Sequence, residues 1–109
     1  MITHKELEEY ILSMPNAWLD YPFGEGVAVY KAGEKMFALV QEGSQPIKLS
    51  LKCDPKLSKV LREKYESVML GYHLNKKHWI TVLLTGQLSW PEVQDLIRHS
   101  FLLVTDDQR

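Results

Sequence analysis

The sequence predicts an α+β two-layer sandwich, a mostly antiparallel sheet with its helices packed on one face. Hydrophobic periodicity passes from helical to strand-like and back along the chain, without the strand–helix–strand alternation of a parallel sheet. The segment Ile47–Cys53 alternates strictly: Ile47, Leu49, Leu51 and Cys53 share one face, while Lys48, Ser50 and Lys52 share the other. That pattern marks a sheet with one buried and one wet side. The 109 residues, 45 % of them hydrophobic, suffice for one core without disulfide or metal staples, so residues 1–109 read as a single domain.

Each element has its own signal. Thr3 followed by Glu6 has capping-box spacing, and Leu7, Tyr10, Ile11 and Met14 form the apolar stripe of a first helix that Pro15 ends. The next stretch, PNAWLDYPFGEG, holds two prolines and two glycines and reads as a connecting loop. Its aromatic residues Trp18, Tyr21 and Phe23 are expected to pack over one end of the sheet. Strands Val27–Lys31 and Lys35–Gln41 are joined through Ala32-Gly33-Glu34 as a hairpin, and Ile47–Cys53 is the third strand. Asp54 as N-cap and Pro55 at the first helical position start a second helix, with Leu57, Val60, Leu61 and Tyr65 inward. Ser67–Leu70 allows a short strand, and Trp79–Thr85 is rich in β-branched and aromatic residues. Ser89 and Glu92 repeat the capping box before a last helix whose inner face is Val93, Leu96, Ile97, Phe101 and Val104. The expected order is α-β-β-β-α-(β)-β-α.

Composition narrows the function classes. A single cysteine, Cys53, excludes an internal disulfide and fits a reducing cytoplasm. The opening MITHKELEEY carries acids where a secretory leader needs an apolar run. No apolar run approaches the roughly 20 residues that span a bilayer. A cytoplasmic protein with no membrane partner is expected. Net charge is −1 but unevenly spread: −4 over residues 1–30, +5 over 31–78 and −2 over 79–109. A basic middle between acidic ends points to one basic and one acidic surface.

Five stretches carry a family signature: YPFG at Tyr21–Gly24, KMFAL at Lys35–Leu39, LKCDP at Leu51–Pro55, GYHLNKKHWITV at Gly71–Val82 and LIRHSFLLV at Leu96–Val104. Together they resemble the MmcQ/YjbR family over almost the whole chain. The most specific piece is the H-x-N-K-x-H-W run from His73 to Trp79, with Leu74 where members often carry methionine. The resemblance implies an α/β fold likened to frataxin-type CyaY proteins, and DNA binding through a double-wing arrangement. It does not carry iron binding with it. The first helix offers only Glu6, Glu8 and Glu9, whereas a hard cation needs several converging oxygens.

The polar run before Trp79 admits several readings. As a metal site it lacks ligand spacing: His73 and His78 are five apart, His4 and His99 are distant, and no C-x-x-C or H-E-x-x-H occurs. No metal and no cofactor are expected. As a catalytic site it offers His73 or His78 as base, Lys76 or Lys77 as cation and Asn75 as amide, with Cys53 as a conceivable nucleophile. Cys53 continues an apolar face, however, and no phosphate loop, nucleophile elbow or carboxylate pair is visible, so no enzyme is expected. As a nucleic-acid surface it has more parts. Lys48 and Lys52 share a wet sheet face, Lys76 and Lys77 lie in the loop, and Asn75 and His73 offer hydrogen bonds to phosphates or base edges.

From the family resemblance together with the basic middle, DNA binding, weak and not strongly sequence-specific, is the expected function. The alternative is a protein- or small-ligand-interaction module that binds no nucleic acid, with a protein partner or homodimer on the open sheet face. For His73, Asn75 and His78 the leading reading is structural, with binding built on top as the alternative: the run is a tight connection into a buried strand, with Gly71 supplying an unusual backbone angle, Asn75 a turn, and the histidines and lysines satisfying carbonyls or facing water.

Overall fold

The computed structural model describes residues 2–71 and 74–105. Helix α1 (His4–Leu12) is followed by strands β1 (Ala17–Asp20), β2 (Val27–Ala32), β3 (Lys35–Gln41) and β4 (Lys48–Lys52). Helix α2 (Pro55–Lys64), strands β5 (Val68–Leu70) and β6 (Trp79–Leu83), and helix α3 (Trp90–Thr105) complete the chain. The strands form one antiparallel sheet in the order β1-β2-β3-β4-β6-β5. The α+β class and the helical cover on one face are as the periodicity predicts.

Local chemistry starts the helices. At α1, Thr3 Oγ1 accepts from Glu6 N at 3.1 Å and Glu6 Oε1 accepts from Thr3 N at 3.0 Å. At α3, Ser89 and Glu92 make the same exchange at 3.3 and 2.8 Å. Asp54 caps α2 by accepting from Lys56 N and Leu57 N. These bonds satisfy N–H groups that a helix start leaves without intrahelical partners.

One sheet face carries the main core. Leu7 and Ile11 of α1 and Val93, Ile97 and Val104 of α3 bury against Tyr30, Val40, Leu49, Leu51, Ile80 and Val82. The Tyr30 hydroxyl donates to Glu8 Oε2 at 2.8 Å, which ties β2 to α1. Between Tyr30 and Lys31 the β2–β3 register slips, so Phe37 and Ala38 both face the helices. The Ser100 hydroxyl of α3 donates to Phe37 O and accepts from Lys52 N at 2.9 Å.

Three details depart from the sequence reading. The stretch read wholly as loop contains the edge strand β1, paired along β2 from Ala17↔Ala32 to Asp20↔Val29. Trp18, Tyr21 and Phe23 are 44, 42 and 60 % exposed instead of packed down. Trp18 is nevertheless fixed, because its indole Nε1 donates to Gly33 O at 2.7 Å. Finally, Val60 of α2 faces solvent, while the small Ser58 is the buried residue of that helix.

Candidate functional site

Along the helix-free face, Val29, Leu39, Ser50 and Thr81 stand opposite one another across β2, β3, β4 and β6. All four are buried, although no helix residue packs there. The cover comes from two loops. The loop between β1 and β2 carries Phe23, and the loop between β5 and β6 carries Leu74. Val29, Leu39 and Trp79 form a second, smaller apolar cluster here, with Val27, Met36 and Leu74 against it. Trp79 is thus buried, as its strand context predicts, but on the side of the sheet away from the main core.

Between the loops lies a hollow of about 420 Å³. Its apolar walls are Phe23, Val27, Leu39 and Leu74; its polar lining is Gln41, Lys48, Ser50 and Thr81. The hydroxyls of Ser50 and Thr81 meet at 2.9 Å on its floor. This pair is the polar part of an otherwise apolar floor. Sequence reasoning placed Ser50 on the wet face but did not assemble this hollow. The available signal was Phe23, a large apolar residue between Pro22 and Gly24 with no periodic partner.

The predicted lysines divide between the two ends of the face. Lys48 lines the hollow at one end of β4. Lys52, at the other end, is opposite Trp79, and the exposed Lys76 and Lys77 sit on the turn entering Trp79. On the β1–β2 side the charge is offset: Lys31 Nζ lies 3.0 Å from Asp20 Oδ2 and 5.2 Å from the Trp18 ring centre. The Lys31 hydrogen bond, with help from Tyr21 N–H, holds the Asp20 carboxyl below its usual range. Tyr21 donates to Glu42 Oε2 at 2.8 Å, which fastens one end of the Phe23 loop and pushes the phenol pKa up.

The polar run that precedes Trp79 is built as a turn. Asn75 Oδ1 accepts from Lys77 N at 2.9 Å, and Asn75 O accepts from His78 N and Trp79 N at 3.2 and 3.1 Å. His78 O accepts from Cys53 N at 2.8 Å, so its backbone continues the β4–β6 ladder while its side chain is exposed. His73 lies outside the described residues. Gly71 has no positive φ, contrary to the expectation of an unusual backbone angle. Its role is close approach: a Cβ there would stand 2.6 Å from Trp79 Cβ.

Cys53 is 1 % exposed, and burial pushes its thiol up to about 11. That is the behaviour of a core residue; an activated nucleophile has a depressed pKa. Among the described residues no three His, Cys, Asp or Glu side chains are grouped so as to hold a metal ion. No described helix is long and apolar enough to cross a membrane.

A family model described as YjbR matches residues 12–103. The uncharacterised protein YbdF of Escherichia coli O157:H7 is 38 % identical over 94 % of this chain and 84 % of its own length. The uncharacterised protein YjbR of Escherichia coli K12 is 32 % identical, covering 92 % of this chain and 85 % of its own. Among solved structures, Deinococcus radiodurans protein DR2400, described by the domain name DUF419, superimposes with a TM-score of 0.93 at 37 % identity. That match covers all of this chain and 83 % of the other. A Pseudomonas syringae protein superimposes with a TM-score of 0.80 at 31 % identity, over 94 % of this chain and 98 % of its own.

Proposed function

The chain belongs to the MmcQ/YjbR family, and from its helix-free face we propose that it is a non-enzymatic nucleic-acid-binding protein, weak and without strong sequence preference. One observation carries the reading. Lys48 and Lys52 leave the open face from a single strand, and the turn bearing Lys76 and Lys77 adjoins the Lys52 end. Cations spread along a sheet suit a phosphate backbone, which needs several contacts in succession.

The two described arginines support weak selectivity. Guanine edges are commonly read by a bidentate guanidinium. Here Arg62 bonds to Ser58 within α2, and Arg98 of α3 bonds to Tyr10 and Asp95. Both sit on helices, away from the open face. The formal charge of −1 argues for modest affinity. The lone buried thiol of Cys53 is in keeping with work in a reducing cytoplasm.

The test is fluorescence anisotropy of labelled DNA across a salt series. Log affinity should fall linearly with log salt at a slope equivalent to about three phosphates. Replacing Lys52, Lys76 or Lys77 by Gln should each lower that slope by about one contact. No binding at low salt overturns the reading in favour of a protein or small-ligand module on the same face.

A further inference from the structure

The hollow on the helix-free face has no part in the nucleic-acid reading. Phosphates meet cations at a surface, and a recess walled by Phe23, Val27, Leu39 and Leu74 adds nothing to that contact. Its floor asks for no polar ligand either. Ser50 and Thr81 bond to each other at 2.9 Å, Thr81 is 1 % exposed, and Lys48 is already engaged. What remains is an apolar recess, from which loosely held water is readily displaced by an apolar group. Its walls are held from behind. Leu74 packs on the cluster of Val29, Leu39 and Trp79, and the Tyr21–Glu42 bond fastens the Phe23 loop.

Charge around the hollow is lopsided. Two and three positions after Leu74 come the exposed Lys76 and Lys77, on a turn whose backbone Asn75 fixes by accepting from Lys77 N and His78 N. On the Phe23 side stands the exposed Glu25, while Asp20 and Glu42 are turned to Lys31 and Tyr21. We infer that the hollow binds a small amphipathic carboxylate, its apolar body under Phe23 and its charged group outside, against Lys76 and Lys77. Such a ligand complements both features, because its tail matches the apolar walls and its head lies toward the cations and away from Glu25. The volume of about 420 Å³ is near the low end for small-molecule pockets, room for one short chain or a single ring. The head stays at the water's edge, where an ion pair contributes modestly, so most of the affinity comes from the tail. This goes beyond the nucleic-acid reading and does not rest on it.

Amide NMR titrations of the full chain with octanoate and with octylammonium test it, since the two share one tail and differ in the sign of the head. Octanoate should bind about fivefold or more tightly than octylammonium, with the largest shifts at Phe23 and Leu74. Each methylene added between hexanoate and octanoate should tighten binding about three- to fourfold. Phe23→Ala, a change at an exposed side chain, should weaken octanoate about fivefold and leave DNA binding as it is. Replacing Lys76 and Lys77 together by Gln should erase the preference for octanoate and keep the gain per methylene. Equal binding of the two ligands, or a preference for octylammonium, overturns the carboxylate assignment. Octanoate binding that ignores chain length and Phe23→Ala overturns the hollow as its site. No binding of either ligand at millimolar concentration overturns the inference and leaves the lysine surface to its own test.

Discussion

The hydroxyl of Ser100 on α3 donates to the carbonyl oxygen of Phe37 at 2.5 Å, at the point where the β2–β3 register slips. The same hydroxyl accepts from Lys52 N on β4. A bulge leaves backbone groups without ladder partners, and buried ones are costly unless something else satisfies them. Ser100 is fully buried and serves two such groups at once. It joins the last helix to two strands through polar chemistry in the middle of the core.

Ser100→Ala should therefore cost more than an ordinary lost hydrogen bond. It strands an acceptor and a donor together, for about 2–4 kcal/mol of stability. Urea denaturation of the variant and parent measures this directly. A loss below about 0.5 kcal/mol would show that the bulge satisfies itself in solution.

Gly71→Ala tests close approach against backbone conformation. The new methyl would meet Trp79 Cβ at 2.6 Å, so the start of β6 must shift, at about 1–3 kcal/mol. Gly33, in the β2–β3 hairpin, has φ +64° and open space around it. Gly33→Ala should cost about 1 kcal/mol through conformation alone. The Trp79 indole resonance should move in the first variant and stay in the second. Equal resonance shifts in both would refute the assignment.

Cys53 should be nearly inert while the protein is folded. Its thiol is raised from an ordinary 9.0 to about 11 by burial, with Asp54 adding to the rise. At a pH near neutrality a rise of that size in the thiol's pKa means roughly 100-fold less thiolate, the reactive species. Alkylation by iodoacetamide should be at least that much slower in buffer than in denaturant. Comparable rates would mean that the β4 end opens readily.

Acid sensitivity should trace to the capping boxes and to Asp20, whose carboxyl the Lys31 bond also depresses. Glu6 and Glu92 are held below the ordinary carboxylate value of 4.5, chiefly by the backbone N–H groups of Thr3 and Ser89. The Tyr65 hydroxyl adds a bond to Glu92 at 3.1 Å. A carboxyl depressed on folding stabilises fully above its unfolded value and loses that stabilisation as pH falls through its folded value. Thermal stability should thus decline below about pH 4.5, and Glu92→Gln should make the decline shallower. Identical profiles for the variant and parent would contradict a working box at α3.

Much of this architecture was legible because it is written in local chemistry. Thr3 with Glu6, Asp54 with Pro55, and Ser89 with Glu92 announce helix starts within four residues. The alternation from Ile47 to Cys53 announces a two-faced sheet. What escaped depends on distant partners. Ala17–Asp20 is too short and too close to prolines to read as a strand, and only β2 makes it one. Phe37 and Ala38 face the same way because of a slip that neither residue encodes alone. Trp79 has an apolar neighbourhood on either side of the sheet, and strand periodicity does not say which side the helices take. The lysines were found as a charge pattern. The hollow beside Lys48 was not, because it exists only where Phe23 and Leu74, 51 positions apart in the chain, overhang one floor.

The strand order has a consequence for how the molecule is made. Strands β1 to β4 lie side by side in the order of synthesis, so each pairs with one just completed. The 16-residue α3, which packs across β2, β3 and β4, comes after every strand. Until it emerges from the ribosome, only α1 and α2 shield the apolar side of the sheet, and the Phe37 carbonyl has no Ser100 to meet. Domains tend to fold as units as their chain emerges. Here the piece that closes the core is α3, so a chain that stops before Trp90 should stay open to protease, and one that runs through Thr105 should be protected.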